Sequence, residues 1–168
     1  VICPDAGSQK FEIVTKEKGI LWIELIAQGV GAHGAFLWLG ENAIEKLVGA
    51  IQKIKQFIGP VEADAWKTTV NVSIVETSNK TPNKVPSDAR AVLDMRFTEA
   101  MAQTPEELRQ KIQNLVPEVQ VNALEQSGMF FVQEDNELVQ KFKKIAEHVV
   151  GEEVNFTHEH GAADIRFF

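Results

Sequence analysis

A single cysteine, Cys3, stands among the 168 residues. One thiol excludes an internal disulfide and fits a reducing compartment, so a cytoplasmic location is expected. No apolar run is long enough to cross a bilayer. Basic residues are outnumbered, with 17 Lys and Arg against 24 Asp and Glu and a net charge of -7. Such a surface repels phosphate backbones and anionic lipid, which argues against nucleic acid and membrane as partners. A phosphate loop, a nucleophile elbow and a Cys-x-x-Cys pair are all missing. Apolar residues are plentiful at 44% of the chain, enough for one packed domain.

Both ends lie in apolar runs, Val1-Ile2-Cys3-Pro4 and Ile165-Arg166-Phe167-Phe168. Natural domain boundaries favour polar linkers. The chain therefore reads as an excerpt of a longer protein, although a processed or domain-swapped form would look similar.

Alternation of Leu21, Ile23 and Leu25 with Trp22 and Glu24 predicts a strand over Gly19 to Ala27. A turn with Gly29, Gly31 and Gly34 follows. Asn42 and Glu45 form a capping-box pattern, and Ile44, Leu47, Val48, Ile51 and Ile54 repeat at helical spacing. Thr68 to Val75 predicts a strand with Val70, Val72 and Ile74 on one face. Thr77 to Ser87 reads as a loop. Ala91, Leu93 and Met95 mark the next strand. Thr104 and Glu107 cap a second helix that turns Leu108, Ile112 and Leu115 inward, and Val119, Val121 and Ala123 begin a further strand. The order strand, helix, strand, strand, helix, strand suits an α+β, ferredoxin-like sandwich: a four-stranded antiparallel sheet with both helices on one face. Beyond it, Asn136 to Val149 predicts a third helix with Leu138, Phe142, Ile145 and Val149 inward. Val154 to Thr157 predicts a short strand. The first residues and this tail do not fit the sandwich and belong together in another domain, into which the sandwich is inserted.

His33 lies in Gly31-Ala32-His33-Gly34-Ala35. Flanking glycines allow a sharp bend that leaves the ring accessible, so the imidazole is either an oxyanion donor or a plain surface histidine. Asn83 sits in a loop stiffened by Pro82 and Pro86, and is either a ligand-binding amide or a turn former. Arg96 ends its strand, either to clamp a carboxylate with two parallel bonds or to pair with Asp94. His158 and His160 would share one strand face, which zinc accepts, but no third ligand is fixed by the sequence. Asp5 and Asp164 are isolated carboxylates. Phe36-Leu37-Trp38-Leu39 is costly to leave wet and points to an interface.

Several segments together carry a resemblance. They are Gly29-Val30-Gly31-Ala32-His33-Gly34-Ala35, Trp38-Leu39-Gly40-Glu41-Asn42-Ala43-Ile44, Asn83-x-Val85-Pro86, Leu93-Asp94-x-Arg96 and Gly161-Ala162-Ala163-Asp164-Ile165-Arg166-Phe167. In this order they resemble the lid domain of metallopeptidase family 20, which includes acetylornithine deacetylase, succinyl-diaminopimelate desuccinylase, aminoacylase and glutamate carboxypeptidase. The resemblance implies a lid over residues 16–130, inserted in a catalytic domain whose halves contribute residues 1–15 and 131–168. It implies two bridged zinc ions in the parent enzyme, with Asp5 at the position of a zinc ligand and the other ligands outside this chain. It implies a homodimer through the lid, with His33 reaching the partner's active site and Asn83 and Arg96 holding the carboxylate end of a peptide or N-acyl amino acid. Asp164 falls in the loop matching the family's Ser-Asp-Ala-Arg stretch, with Ala163 in place of the usual serine or threonine. Leu37 replaces the usual proline. The parent would hydrolyse an amide, and this chain alone would be inactive. The alternative is a free-standing ferredoxin-like interaction or small-ligand regulatory domain.

Overall fold

The computed structural model describes residues 2 and 11–167. The elements run β1 (Glu12–Glu17), β2 (Gly19–Gln28), β3 (Ala32–His33), α1 (Ala43–Ile58), β4 (Thr69–Glu76), β5 (Lys84–Val85), β6 (Asp88–Phe97), α2 (Pro105–Leu115), β7 (Gln120–Ser127), β8 (Phe130–Phe131), α3 (Glu137–Val150) and β9 (Asn155–Glu159). Short 3-10 turns occupy Leu37–Leu39 and Asp164–Phe167. Among the described residues no helix is long and apolar enough to cross a membrane.

Strand alternation builds the larger sheet. Leu21, Ile23, Leu25 and Ala27 on β2 and Ala91, Leu93, Met95 and Phe97 on β6 are all fully buried on one face. The pairing is antiparallel throughout, in the order β4-β6-β2-β7, as expected for the ferredoxin-like sandwich. α1 turns Ala43, Leu47, Ala50 and Ile54 onto this face, and α2 turns Leu108 and Ile112 there. Removing each large side chain from water contributes about 1.5–3 kcal/mol. Both caps form as expected. The Asn42 side chain accepts from the amides of Ile44 and Glu45, and Thr104 accepts from the amide of Glu107.

A second unit is built from chain ends far apart in sequence. β1 lies between β8, antiparallel, and β9, parallel. α3 covers this three-stranded sheet with Phe142 and Ala146, against Ile13, Val154 and Phe156. The chain passes directly from β1 into β2 through Lys18. At the crossing, a Cβ on Gly19 would lie 2.2 Å from the Phe97 ring, so only glycine fits there.

Three local expectations change. A register shift between Val72 and Ile74 turns Ile74 away from the core, so only Val70 and Val72 pack against it. On α3 the inward line runs through Phe142 and Ala146. Leu138, Ile145 and Val149 are 77%, 53% and 78% exposed, because the sheet beneath meets the helix along its neighbouring stripe. Thr77 to Ser87 is not wholly loop, since β5 within it pairs with β3.

Candidate functional site

Two regions collect the polar groups picked out by sequence. The first lies where β2 ends and the chain turns back. The Gly29 amide donates to the Ser87 carbonyl (2.9 Å), Val30 bridges to Glu41, and the Ala43 amide donates to the Pro86 carbonyl (3.0 Å). A Cβ on Gly29 would sit 2.1 Å from the Glu41 carbonyl oxygen, so this close approach requires glycine. The tie places β3 against β5, with His33 opposite Lys84, and the Gly34 amide donates to the Asn83 carbonyl at 2.7 Å. His33 and Asn83, fifty residues apart in sequence, are thus neighbours, and both are exposed.

The His33 ring has a defined orientation. Its Nδ1 accepts the Ala35 amide hydrogen at 3.1 Å. A neutral imidazole accepting at Nδ1 carries its proton on Nε2, so the outer nitrogen is a donor. Phe36 packs against the ring with centroids 5.7 Å apart, and Trp38 packs edge-on to Phe36 at 5.6 Å. Phe36, Leu37, Trp38 and Leu39 are all exposed.

Arg96 is elsewhere. It stands at the far end of β6 from Asp88, roughly 26 Å away at the usual rise of about 3.3 Å per residue. Its Nε and Nη2 donate to the two Asp94 carboxylate oxygens at 2.9 and 3.2 Å. The forked pair orients the guanidinium near the crossing into the smaller sheet, since Arg96 lies opposite Ile20.

The comparisons with known proteins bear on this arrangement. A family model described as the peptidase dimerisation domain matches residues 15–124, more than half of the chain. The chain belongs to that family. A probable carboxypeptidase of Aspergillus flavus is 33% identical over 113 residues, covering 62% of this chain and 25% of the relative. Another, from Aspergillus fumigatus, is 36% identical over 115 residues, covering 64% and 25%. The chain spans about a quarter of the length of these relatives. A Staphylococcus aureus tripeptidase superposes with TM-score 0.76 at 21% identity, covering 96% of this chain and 43% of that one. The aminopeptidase PepT of Bacillus cereus gives 0.72 at 20%, with the same shares. At these identities the likeness is one of fold.

The remaining residues of this dimerisation domain and its flanks are placed as follows. Asp5 lies outside the described residues. Asp164 is exposed on the final 3-10 turn. The loop before it is held without a hydroxyl at position 163: the Ala163 amide donates to buried Glu17 at 3.0 Å, and the Gly161 amide donates to Glu159 at 3.1 Å. His158 and His160 do not gather a metal-binding set. Among the described residues no group of three or more His, Cys, Asp and Glu is placed to hold an ion. The two imidazoles pack against Trp66 instead, His158 edge-on and His160 tilted. Sequence reasoning passed over Trp66, Lys16 and Lys18, whose meeting depends on the second sheet. It also passed over Lys84, whose place opposite His33 depends on β5.

Proposed function

We propose that this chain is the lid and dimerisation part of a metal-dependent peptidase or N-acyl-amino-acid amidohydrolase. The larger sheet with α1 and α2, from Gly19 to Ser127, is the lid, a few residues inside the expected 16–130, and β1, β8, α3 and β9 are pieces of the catalytic domain. The lid pairs with a second copy to make a homodimer. The substrate is a small peptide or an N-acyl amino acid.

One observation carries this reading: His33 and Asn83 meet at one exposed end of the sheet, and Arg96 waits at the other. β6 alone sets Arg96 roughly 26 Å from Asp88, at the end of the sheet where the chain turns towards His33, a span too long for one small substrate to bridge. The two groups therefore serve different active sites. His33 and Asn83 extend to the partner subunit's site, and Arg96 faces the site of its own chain. The zinc ions that the family resemblance implies do not fit the described residues, and their chemistry belongs to the rest of the parent protein.

What this chain supplies is hydrogen bonding. As an amide carbonyl becomes tetrahedral, its oxygen gains negative charge. The Nε2–H of His33, pre-aimed by the bond at Nδ1, stabilises that charge without reorganising. The Asn83 amide is a second polar group at the same end. Arg96, already forked by Asp94, exchanges part of that pairing for the substrate carboxylate. In the full-length parent, His33→Ala lowers kcat by about a hundredfold or more, the loss expected for one oxyanion donor. The variant should remain dimeric. Unchanged turnover would remove the role assigned to His33.

A further inference from the structure

The chain crosses between its two sheets at Glu17-Lys18-Gly19 and at Ser127-Gly128-Met129. Among the described residues, the two apolar cores on either side share none. One is built around Leu21, Leu47 and Leu93, the other around Ile13, Ala146 and Val154. Units without a common core keep relative freedom unless polar or aromatic contacts hold them.

Such contacts gather on Trp66, in the segment between α1 and β4 and so on the larger unit. His158, on β9, and His160, just beyond it, belong to the smaller unit. The Trp66 ring lies 4.8 Å from the His158 ring, edge-on, and 6.1 Å from the His160 ring. The two imidazoles are 5.4 Å apart. Lys16 on β1 and Lys18 at the crossing hold their ammonium groups 5.9 and 5.7 Å from the Trp66 ring.

The charges around this cluster come from every element packed on it. Lys16 faces Glu99 at 3.7 Å, and Glu99 also takes the Trp66 indole hydrogen at 3.0 Å. Lys18 donates to the Lys67 carbonyl at 2.6 Å, and Lys67 itself pairs with Glu62. Glu159 accepts the Gly161 amide, and Glu17 accepts the Ala163 amide. Asp64 and Glu159 act on His160 through space. Neutral imidazoles pack well against an indole edge. An imidazolium at His160, near the Lys18 ammonium, is repelled by it.

We propose that Trp66, His158 and His160 form a pH-sensitive latch between the two units, closed while the His160 imidazole is neutral and released when it takes up a proton. Burial first, then Lys18 and His158, hold His160 below its ordinary value of 6.5 against the pull of Glu159 and Asp64. The sign follows. Above 6.5 neither open nor closed state binds a proton at His160, and the contact contributes in full. As pH falls below 6.5 the open state protonates first, and the latch weakens until the lowered value is passed. Acidification thus frees the hinge whatever the substrate.

The test uses this chain with Trp22→Phe and Trp38→Phe, so that Trp66 is its one indole. Trp66 emission and the radius of gyration by X-ray scattering are followed from about pH 8 to about pH 5, a range that spans imidazole titration. The expected result is a change in both with a shared midpoint below 6.5. Both traces should be flat in the same chain carrying His158→Gln and His160→Gln, with circular dichroism at pH 8 checking that it folds. Proton NMR of His160 in the unaltered chain needs no variant. Three results would overturn the latch: emission that titrates while the radius stays constant, titration that persists in the glutamine variant, or a His160 pKa at or above 6.5.

Discussion

Leu93→Ala and Leu138→Ala remove the same group from two leucines that hydrophobic periodicity places equally inside. Leu93 is central on β6, between Ile23 on β2 and Val72 on β4, and fully buried. Deleting it forfeits the transfer free energy and opens a cavity that two flanking strands cannot collapse into, so the loss should be about 3–4 kcal/mol. Leu138 lies in the first turn of α3 and is 77% exposed. It leaves almost no cavity, and its truncation should change stability by no more than about 0.5 kcal/mol. Urea unfolding followed by circular dichroism and tryptophan fluorescence separates the two outcomes. Fluorescence reports the larger unit, which holds Trp22 and Trp66. A loss above about 2 kcal/mol for Leu138→Ala would place that stripe in a core and refute the packing of α3 through Phe142 and Ala146 alone.

Gly29→Ala should destabilise by about 2 kcal/mol or more and disturb the His33 turn, because the added Cβ meets the Glu41 carbonyl at 2.1 Å and the Ala43 amide at 2.9 Å. Thermal unfolding and the His33 ring resonances read both effects. Asn42→Ala removes the acceptor for two helix amides and should cost about 1 kcal/mol by the same melt. Trp38→Asp, at an exposed position beside the His33 turn, should lower the dimer fraction seen by light scattering. An unchanged fraction would take the Phe36–Leu39 surface out of the interface.

The sandwich was legible because each of its elements has a local signal that agrees with the packing. Leu21, Ile23 and Leu25 alternate on β2, and Asn42 and Thr104 cap their helices with the side-chain bonds the pattern implies. Where the structure departs, the cause is non-local. The bulge after Val72 is set by pairing with β6 and leaves no mark in the β4 sequence itself. On α3, periodicity finds an apolar stripe, but only Ile13, Val154 and Phe156 decide which edge of it is covered. β1 and β8 were missed because β1 is mostly polar, with Ile13 and Val14 its only apolar residues, and β8 is two residues long; each is a strand through its partners. The site followed the same rule. His33, Asn83 and Arg96 were visible as chemistry, but their division into two groups became visible only when β3 met β5 and β6 ran the length of the sheet. The Trp66 cluster joins three segments that no spacing connects.

Subunit mixing of the full-length parent tests that division most directly. A His33→Ala subunit keeps Arg96, and an Arg96→Ala subunit keeps His33; each homodimer should be nearly inactive. In a mixed dimer with His33 acting across the interface and Arg96 within its own chain, one of the two sites regains both groups. Random re-association of equal amounts should therefore restore about one quarter of wild-type activity. No recovery, with mixed dimers shown to form, would mean that both residues serve the same site, and would contradict a lid shared between two active sites.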